Sequence, residues 1–153
     1  MSIRLRPAQE SDFDFAFDTK QKALGPYVAA RWGWNHARQL AIHRTRWTER
    51  PWLIILDDTQ PIGTVSIGDA EDHVRFGEFY LLPEHQRKGI GSIILRSTLQ
   101  NADAHGLPVK LEYLKWNPVG SLYQRHGFIV TSESDTHYFL VRPPSLHSPG
   151  LTE

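Results

Sequence analysis

The segment Leu81-Leu82-Pro83-Glu84-His85-Gln86-Arg87-Lys88-Gly89-Ile90-Gly91-Ser92 joins a strand-like run to a helix-like run. The joint is basic, then glycine-rich, and it opens a helix. Such a turn aims several backbone N–H groups and the positive end of the helix dipole at one point. Gly89 and Gly91 lack a Cβ, so the backbone can come close to an anion. A diphosphate group is the natural guest, and the chemistry implied is the binding of a phosphate-bearing cofactor. The competing reading is an ordinary strand-to-helix turn with solvated Arg87 and Lys88.

Other chemistry-bearing residues are more scattered. Tyr27, Trp32 and Trp34 cluster around Gly33, followed by Asn35. The spacing predicts a loop between two helices, and aromatic walls suit an amine's alkyl chain or a cation. Arg38, Arg44, Arg46 and Arg50 follow, as a solvated helix face or as a site for an anionic group. The eight histidines show no H-x-x-x-H spacing and the chain has no cysteine, so no metal site is expected. A cysteine nucleophile is excluded. No Gly-Lys-Ser/Thr occurs, which excludes a Walker loop, and the absence of a third glycine disfavours a dinucleotide fingerprint.

These residues need elements to hold them. The 153 residues suffice for one compact domain, and the hydrophobic fraction of 40% with 22% charged is ordinary for a globular protein. Seventeen basic residues balance seventeen acidic ones, which argues against a nucleic-acid partner. No apolar run spans a bilayer and no signal-peptide core is present, so no membrane partner and a cytoplasmic location are expected.

Ile3 to Arg6 alternates as a first strand. Ser11 and Asp14 fit a capping box for a helix that Gly25-Pro26 should end. A second helix is expected over His36 to Trp47. Trp52 to Leu56 and Ile62 to Ile67 form a hairpin about Asp57-Asp58-Thr59. A strand runs from Val74 to Leu82, then the glycine turn and a helix from Ser92 to Ala104. A strand to Lys115, a short helix from Asn117-Pro118 to Gly127, and strands over 128–130 and 136–142 complete residues 1–142. Residues 143–153 read as a frayed tail. The order predicts a mixed α/β domain rather than a regular doubly wound one.

Gln86-Arg87-Lys88-Gly89-Ile90-Gly91 resembles the Q/R-x-x-G-x-G/A signature of the GCN5-related N-acetyltransferases. Downstream, Asn117, Leu122, Tyr123, Gly127 and Phe128 resemble that family's second signature. One helix and one strand separate the two, as in the family, and the element order fits over residues 1–142. The resemblance implies a central, mostly antiparallel twisted sheet with about four helices, split near the cofactor site. The Asn117-to-Tyr123 interval is one residue shorter than usual. A helical residue turns through roughly 100°, so the register depends on where the short helix starts.

The resemblance implies acetyl transfer from acetyl-CoA to a primary amine by direct attack in a ternary complex. Gln86 to Ser92 would cradle the diphosphate, Phe79, Tyr80, Leu81 and Leu82 would pair with the pantetheine arm and supply the oxyanion donor, and Asn117 would join them. Tyr123 is the general acid for the departing thiolate, or alternatively a core tyrosine beside Leu122. Glu78 and Glu112 are the candidate bases, unless each is a solvated strand residue and water takes the proton. Strand parity places Glu78 on the face of Phe76 and Tyr80. Tyr27, Trp32, Trp34, Asn35 and His137 are the candidate acceptor contacts. The acceptor is a small-molecule or peptide amine, and a homodimer stays open. A catalytically idle acyl-CoA-binding module is the alternative function.

Overall fold

The computed structural model describes residues 1–145. Along the chain run β1 (Ile3–Pro7), α1 (Phe13–Trp32), α2 (His36–Glu49), β2 (Trp52–Asp57), β3 (Gln60–Asp69), β4 (Val74–Leu81), α3 (Ile90–Ala104), β5 (Val109–Leu114), α4 (Gly120–Arg125), β6 (Ile129–Glu133) and β7 (His137–Arg142), with 3-10 turns at Glu10–Asp12 and Pro83–His85. The strands form a seven-stranded sheet in the order β1-β2-β3-β4-β5-β7-β6. Only β4 and β5 are described as a parallel pair, since α3 carries the chain back between them. The mixed α/β architecture matches the expectation. The expected tail is described only to Ser145, and residues 146–153 lie outside the described residues.

Two compact units divide the chain. The first comprises Met1–Ser66 and Glu78–Lys88; the second comprises Ile67–Gly77 and the chain from Gly89 on.

In the first unit β1 and β2 pair antiparallel from Ile3↔Asp57 to Pro7↔Leu53, and β2 turns into β3 through Asp58-Thr59. Trp52, Ile54, Ile55 and Leu56 are all buried, so β2 is covered on both faces. Phe13, Ala16, Phe17, Leu24 and Val28 bury one stripe of α1. His43 of α2 lies fully buried among Phe13, Phe17, Trp47 and Trp52, with ring centroids 4.6 to 5.7 Å away. Burial holds its imidazole below the ordinary value, with Lys20 adding to the effect.

Two expectations for α1 are corrected. The capping box is Gln9 with Asp12, not Ser11 with Asp14: the chain enters through a 3-10 turn, and Arg6 clamps both oxygens of Asp12 at 2.8 and 3.0 Å. The helix also runs through Gly25-Pro26 and ends at Gly33, whose φ is +77°. Pro26 lies on the exposed side, while Leu24, Gly25 and Val28 extend the buried stripe past it. Burial of that stripe outweighs the lost backbone bond.

In the second unit β5 pairs antiparallel with β7 over Val109↔Arg142 to Leu114↔His137, and β7 with β6. Ile90, Ile94, Leu95, Leu99 and Ala102 form the buried face of α3. Its last turn is tied to β7 by Asp103, which accepts from Arg142 through both oxygens and from Ser145 N at 2.8 Å.

Gly63 of β3 is required by close approach. A Cβ there would collide with the carbonyl oxygen of Tyr80 and stand 2.8 Å from Leu81 Cδ2 and 3.2 Å from Leu81 Cα. Gly63→Ala is therefore expected to lower stability by about 1–3 kcal/mol. Urea denaturation measures it, and a change under about 0.5 kcal/mol would show that the strand yields freely.

Candidate active site

The glycine turn is held where it leaves β4. Leu82 N donates to Ile62 O at 3.0 Å, and Gln86 Nε2 donates to Leu81 O at 3.0 Å. Arg87 and Gly89 both take left-handed φ values, +62° and +82°. Alternation of this kind turns successive N–H groups toward one side. Gly89 is the N-cap of α3 and offers no side chain to the first-turn amides. Nothing stands within 4 Å of where its Cβ would be. Ile93 N already donates to Gly89 O at 3.1 Å. The donors left to an anion are thus the amides of Ile90, Gly91 and Ser92. Arg87 and Lys88 are exposed. Ser92 Oγ pairs at 3.0 Å with His126 Nε2, a partner that sequence reasoning missed.

Tyr123 lies in the second unit, buried on α4 beside Phe76, Tyr113 and Phe128 at centroid distances of 6.3, 5.6 and 5.8 Å. Burial first, and Tyr113 second, push its pKa above the ordinary phenol value. The hydroxyl is protonated at neutral pH and is a donor. Tyr113 was not anticipated. Its ring comes so close to α4 that a Cβ on Gly120 would stand 2.9 Å from its Cζ. A glycine opening a short helix opposite a strand tyrosine was the available signal.

Asn117 does not start the helix with Pro118, as expected. Its Oδ1 accepts from Val119 N at 3.2 Å and its N–H donates to Leu114 O at 2.9 Å, and α4 begins only at Gly120. A turn absorbs the shortened interval. Glu112 is exposed on β5, with Oε1 3.8 Å from Arg75 Nη2. His137 opens β7 opposite Leu114, and its Nδ1 meets Thr136 Oγ1 at 2.7 Å.

Glu78 lies in the first unit and departs most from expectation. Its φ is +46°, a left-handed conformation inside a strand. Thr64 Oγ1 donates to its carbonyl at 3.0 Å. Strict alternation fails here: Val74, Phe76 and Glu78 are buried, and the next buried residue is Leu81, not Tyr80. The Glu78 carboxylate is no solvated group. Arg50 Nη1 hydrogen-bonds Oε2, Arg46 Nη1 is 3.6 Å from Oε2, and Lys20 Nζ is 3.9 Å from Oε1. Oε1 has no hydrogen-bond partner. Burial lowers the Lys20 pKa, Glu78 opposes that shift, and Arg46 and Arg50 reinforce it. Lys20 was missed, though a lysine on the stripe Phe13, Ala16, Phe17, Leu24 was a legible signal.

The aromatic segment is corrected too. Tyr27 and Trp32 are not loop residues; they sit on α1, 38% and 53% exposed. Trp34 packs on Phe17 at 6.3 Å and lies 3.7 Å from where a Gly25 Cβ would be. Asn35 Oδ1 caps α2 by accepting from Arg38 N at 3.0 Å.

Residues 48–130 match the acetyltransferase (GNAT) domain. The chain belongs to this family. The GNAT match contains Glu78, the glycine turn, Asn117 and Tyr123, and leaves out Lys20, Tyr27 and His137. No protein of curated function matches the sequence. Solved structures share the fold. The PaiA N-acetyltransferase from Thermoplasma acidophilum, in complex with coenzyme A, is 18% identical with a TM-score of 0.75, covering 94% of this chain and 99% of its own. An acetyltransferase from Thermus thermophilus is 15% identical with a TM-score of 0.70, covering 94% and 97%. The ribosomal-protein-S18-alanine N-acetyltransferase from Escherichia coli is 15% identical with a TM-score of 0.68, covering 99% of both chains.

Removing the buried acid of this GNAT chain leaves three cations without their counter-ion. Glu78→Gln is expected to cost about 3–5 kcal/mol in stability, measured by urea denaturation. A loss below about 1 kcal/mol would mean that the cluster carries no net attraction.

Proposed function

We propose that the protein is an N-acetyltransferase that moves the acetyl group of acetyl-CoA to a primary amine, by direct attack in a ternary complex. The observation that carries this reading is the N-terminus of α3. There a 15-residue helix opens on left-handed Gly89, with no side-chain cap and with open space where a Cβ would stand. The diphosphate of coenzyme A fits that opening, because the amides of Ile90, Gly91 and Ser92 and the helix dipole favour an anion there. Gln86, Arg87 and Lys88 line the approach, and the two cations add charge. When bound, acetyl-CoA supplies the acyl group as an activated thioester. The chain has no cysteine, which agrees with transfer without an acyl-enzyme.

The remaining roles fall to this chain's own groups. The backbone of Phe79, Tyr80 and Leu81 would hold the pantetheine arm, and its amides would stabilise the charge growing on the acyl oxygen. Leu82 has no part in that, since its N–H is already given to Ile62. Tyr123 would donate its proton to the leaving sulfur. Asn117 would offer its side-chain NH2 to the cofactor, its Oδ1 being turned toward Val119 N. Glu78 acts as counter-ion to its three cations, and Glu112 faces Arg75, so the amine loses its proton to solvent. Tyr27 and Trp32, exposed on α1, are the candidate aromatic contacts for an acceptor, and His137 is a separate candidate; Trp34 and Asn35 hold the helix junction. Residues 1–142 constitute the catalytic domain.

Tyr123→Phe is expected to lower kcat about 10²-fold while acetyl-CoA affinity stays within about twofold. Release of free CoA against an amine panel, with calorimetry alongside, reads both; unchanged kcat would remove Tyr123 from the chemistry. Gly89→Asp places a carboxylate at the diphosphate and should weaken acetyl-CoA binding about tenfold or more. Retained affinity would overturn the assignment of the turn. Acetyl-CoA binding without turnover of any amine would favour an idle acyl-CoA-binding module. Tighter binding of ATP or NAD would sink the reading altogether.

A further inference from the structure

We propose that the acceptor is an amine that also carries a carboxylate or phosphate group, and that the guanidinium groups of Arg46 and Arg50 bind that anion. This rests on the acetyltransferase reading and names its substrate class. The charge balance around Glu78 is the first ground. Lys20, Arg46 and Arg50 all converge on this one carboxylate. One acid cannot neutralise three bases. Even with Lys20 uncharged, two permanently charged guanidiniums face a single negative charge. An ion cluster that serves only to hold helices together is most stable when its charges cancel, because uncompensated charge near the interior is costly.

Accessibility is the second ground. The Lys20 and Glu78 side chains are 4% and 2% exposed, whereas those of Arg46 and Arg50 are 38% and 21% exposed. The acid is inside, and the guanidiniums reach from it toward solvent. Their contacts with Glu78 use one Nη of each, and a guanidinium carries five N–H donors in a planar fork. An edge of each is left that suits a carboxylate or phosphate. The two arginines lie one turn apart at the end of α2. That turn is braced, because Arg46 O accepts from both Trp52 Nε1 at 3.0 Å and Arg50 N at 3.1 Å.

Position gives the cluster its bearing on the reaction. Glu78 directly precedes Phe79 to Leu81, the backbone assigned to the acyl group, within the same unit. Lys20 Nζ also lies 5.8 Å from the Tyr80 ring. An anion held by Arg46 and Arg50 would tether a nearby amine beside that backbone. The same charge disfavours polycationic acceptors.

The test compares matched amines by CoA release at saturating acetyl-CoA: β-alanine with β-alaninamide, O-phosphoethanolamine with ethanolamine, and spermidine. The anionic member of a pair is expected to have a kcat/KM about tenfold higher or more, and Arg46→Gln or Arg50→Gln should erase most of that preference. The two pairs separate carboxylate from phosphate recognition. Neutral amines or spermidine used equally well, or a preference that survives both substitutions, would overturn the proposal. If no panel amine is turned over, calorimetric titration of inorganic phosphate into acetyl-CoA-saturated protein decides. Saturable binding that weakens about fivefold or more in Arg50→Gln supports the site; absent or unchanged binding removes it. Should acetyl-CoA itself not bind, the acetyltransferase reading fails separately, and phosphate titration in the Gly89→Asp background still scores the arginines. Thermal melts check each fold, and Arg46→Lys and Arg50→Lys, which keep the charge on Glu78, replace any glutamine variant that does not fold.

Discussion

The first unit is organised around a carboxylate in an unfavourable place. Glu78 sits inside a strand at a φ that a residue with a Cβ resists, at a cost of about 1–2 kcal/mol. It stays there because the surroundings over-determine it. Thr64 holds its carbonyl from β3, Lys20 reaches its carboxylate from α1, and Arg46 and Arg50 approach from the end of α2. One residue thereby ties two helices to the strand. It also breaks the alternation of β4 just before Phe79, so the backbone that follows runs in a register the pleat alone would not produce.

The second unit shows the complementary situation, donors left without partners. In the first unit, α2 begins with an asparagine whose side chain satisfies a first-turn amide. α3 begins with a glycine that satisfies none. The left-handed φ of Gly89 is not the extended conformation in which a side chain caps, so the bare start of α3 is built into its backbone. Departures from local rules of this kind cluster where a protein binds something. The buried tyrosine on α4 follows the same logic, since a phenol surrounded by Phe76, Tyr113 and Phe128 holds its proton firmly.

Much of this was legible in the sequence, and the misses have common causes. The glycine turn, the long apolar face of α3 and the run Trp52 to Leu56 are dictated by neighbouring residues, and each appears where periodicity and turn chemistry place it. Pro26 misled, because proline's local penalty is smaller than the burial gained by continuing the stripe to Val28. The entry to α1 misled for a similar reason: Arg6 on β1 fixes Asp12, and that contact crosses from one element to the next. Tyr27 and Trp32 shared the fate of Pro26, becoming helical once the helix continued past it.

Sequence alone therefore determined the family, the element order and the glycine turn that opens α3, since these depend on residue types at short, fixed spacing. It did not determine what the charged residues do. Arg46, Arg50 and Glu78 look like separate surface charges along the chain, and Glu112 looks no different from Glu78. Only the tertiary structure buries Glu78 with three cations and leaves Glu112 exposed beside Arg75. The physical reason is that a charge acquires its role from its dielectric surroundings and its partners, and both are set by packing between elements far apart in the chain.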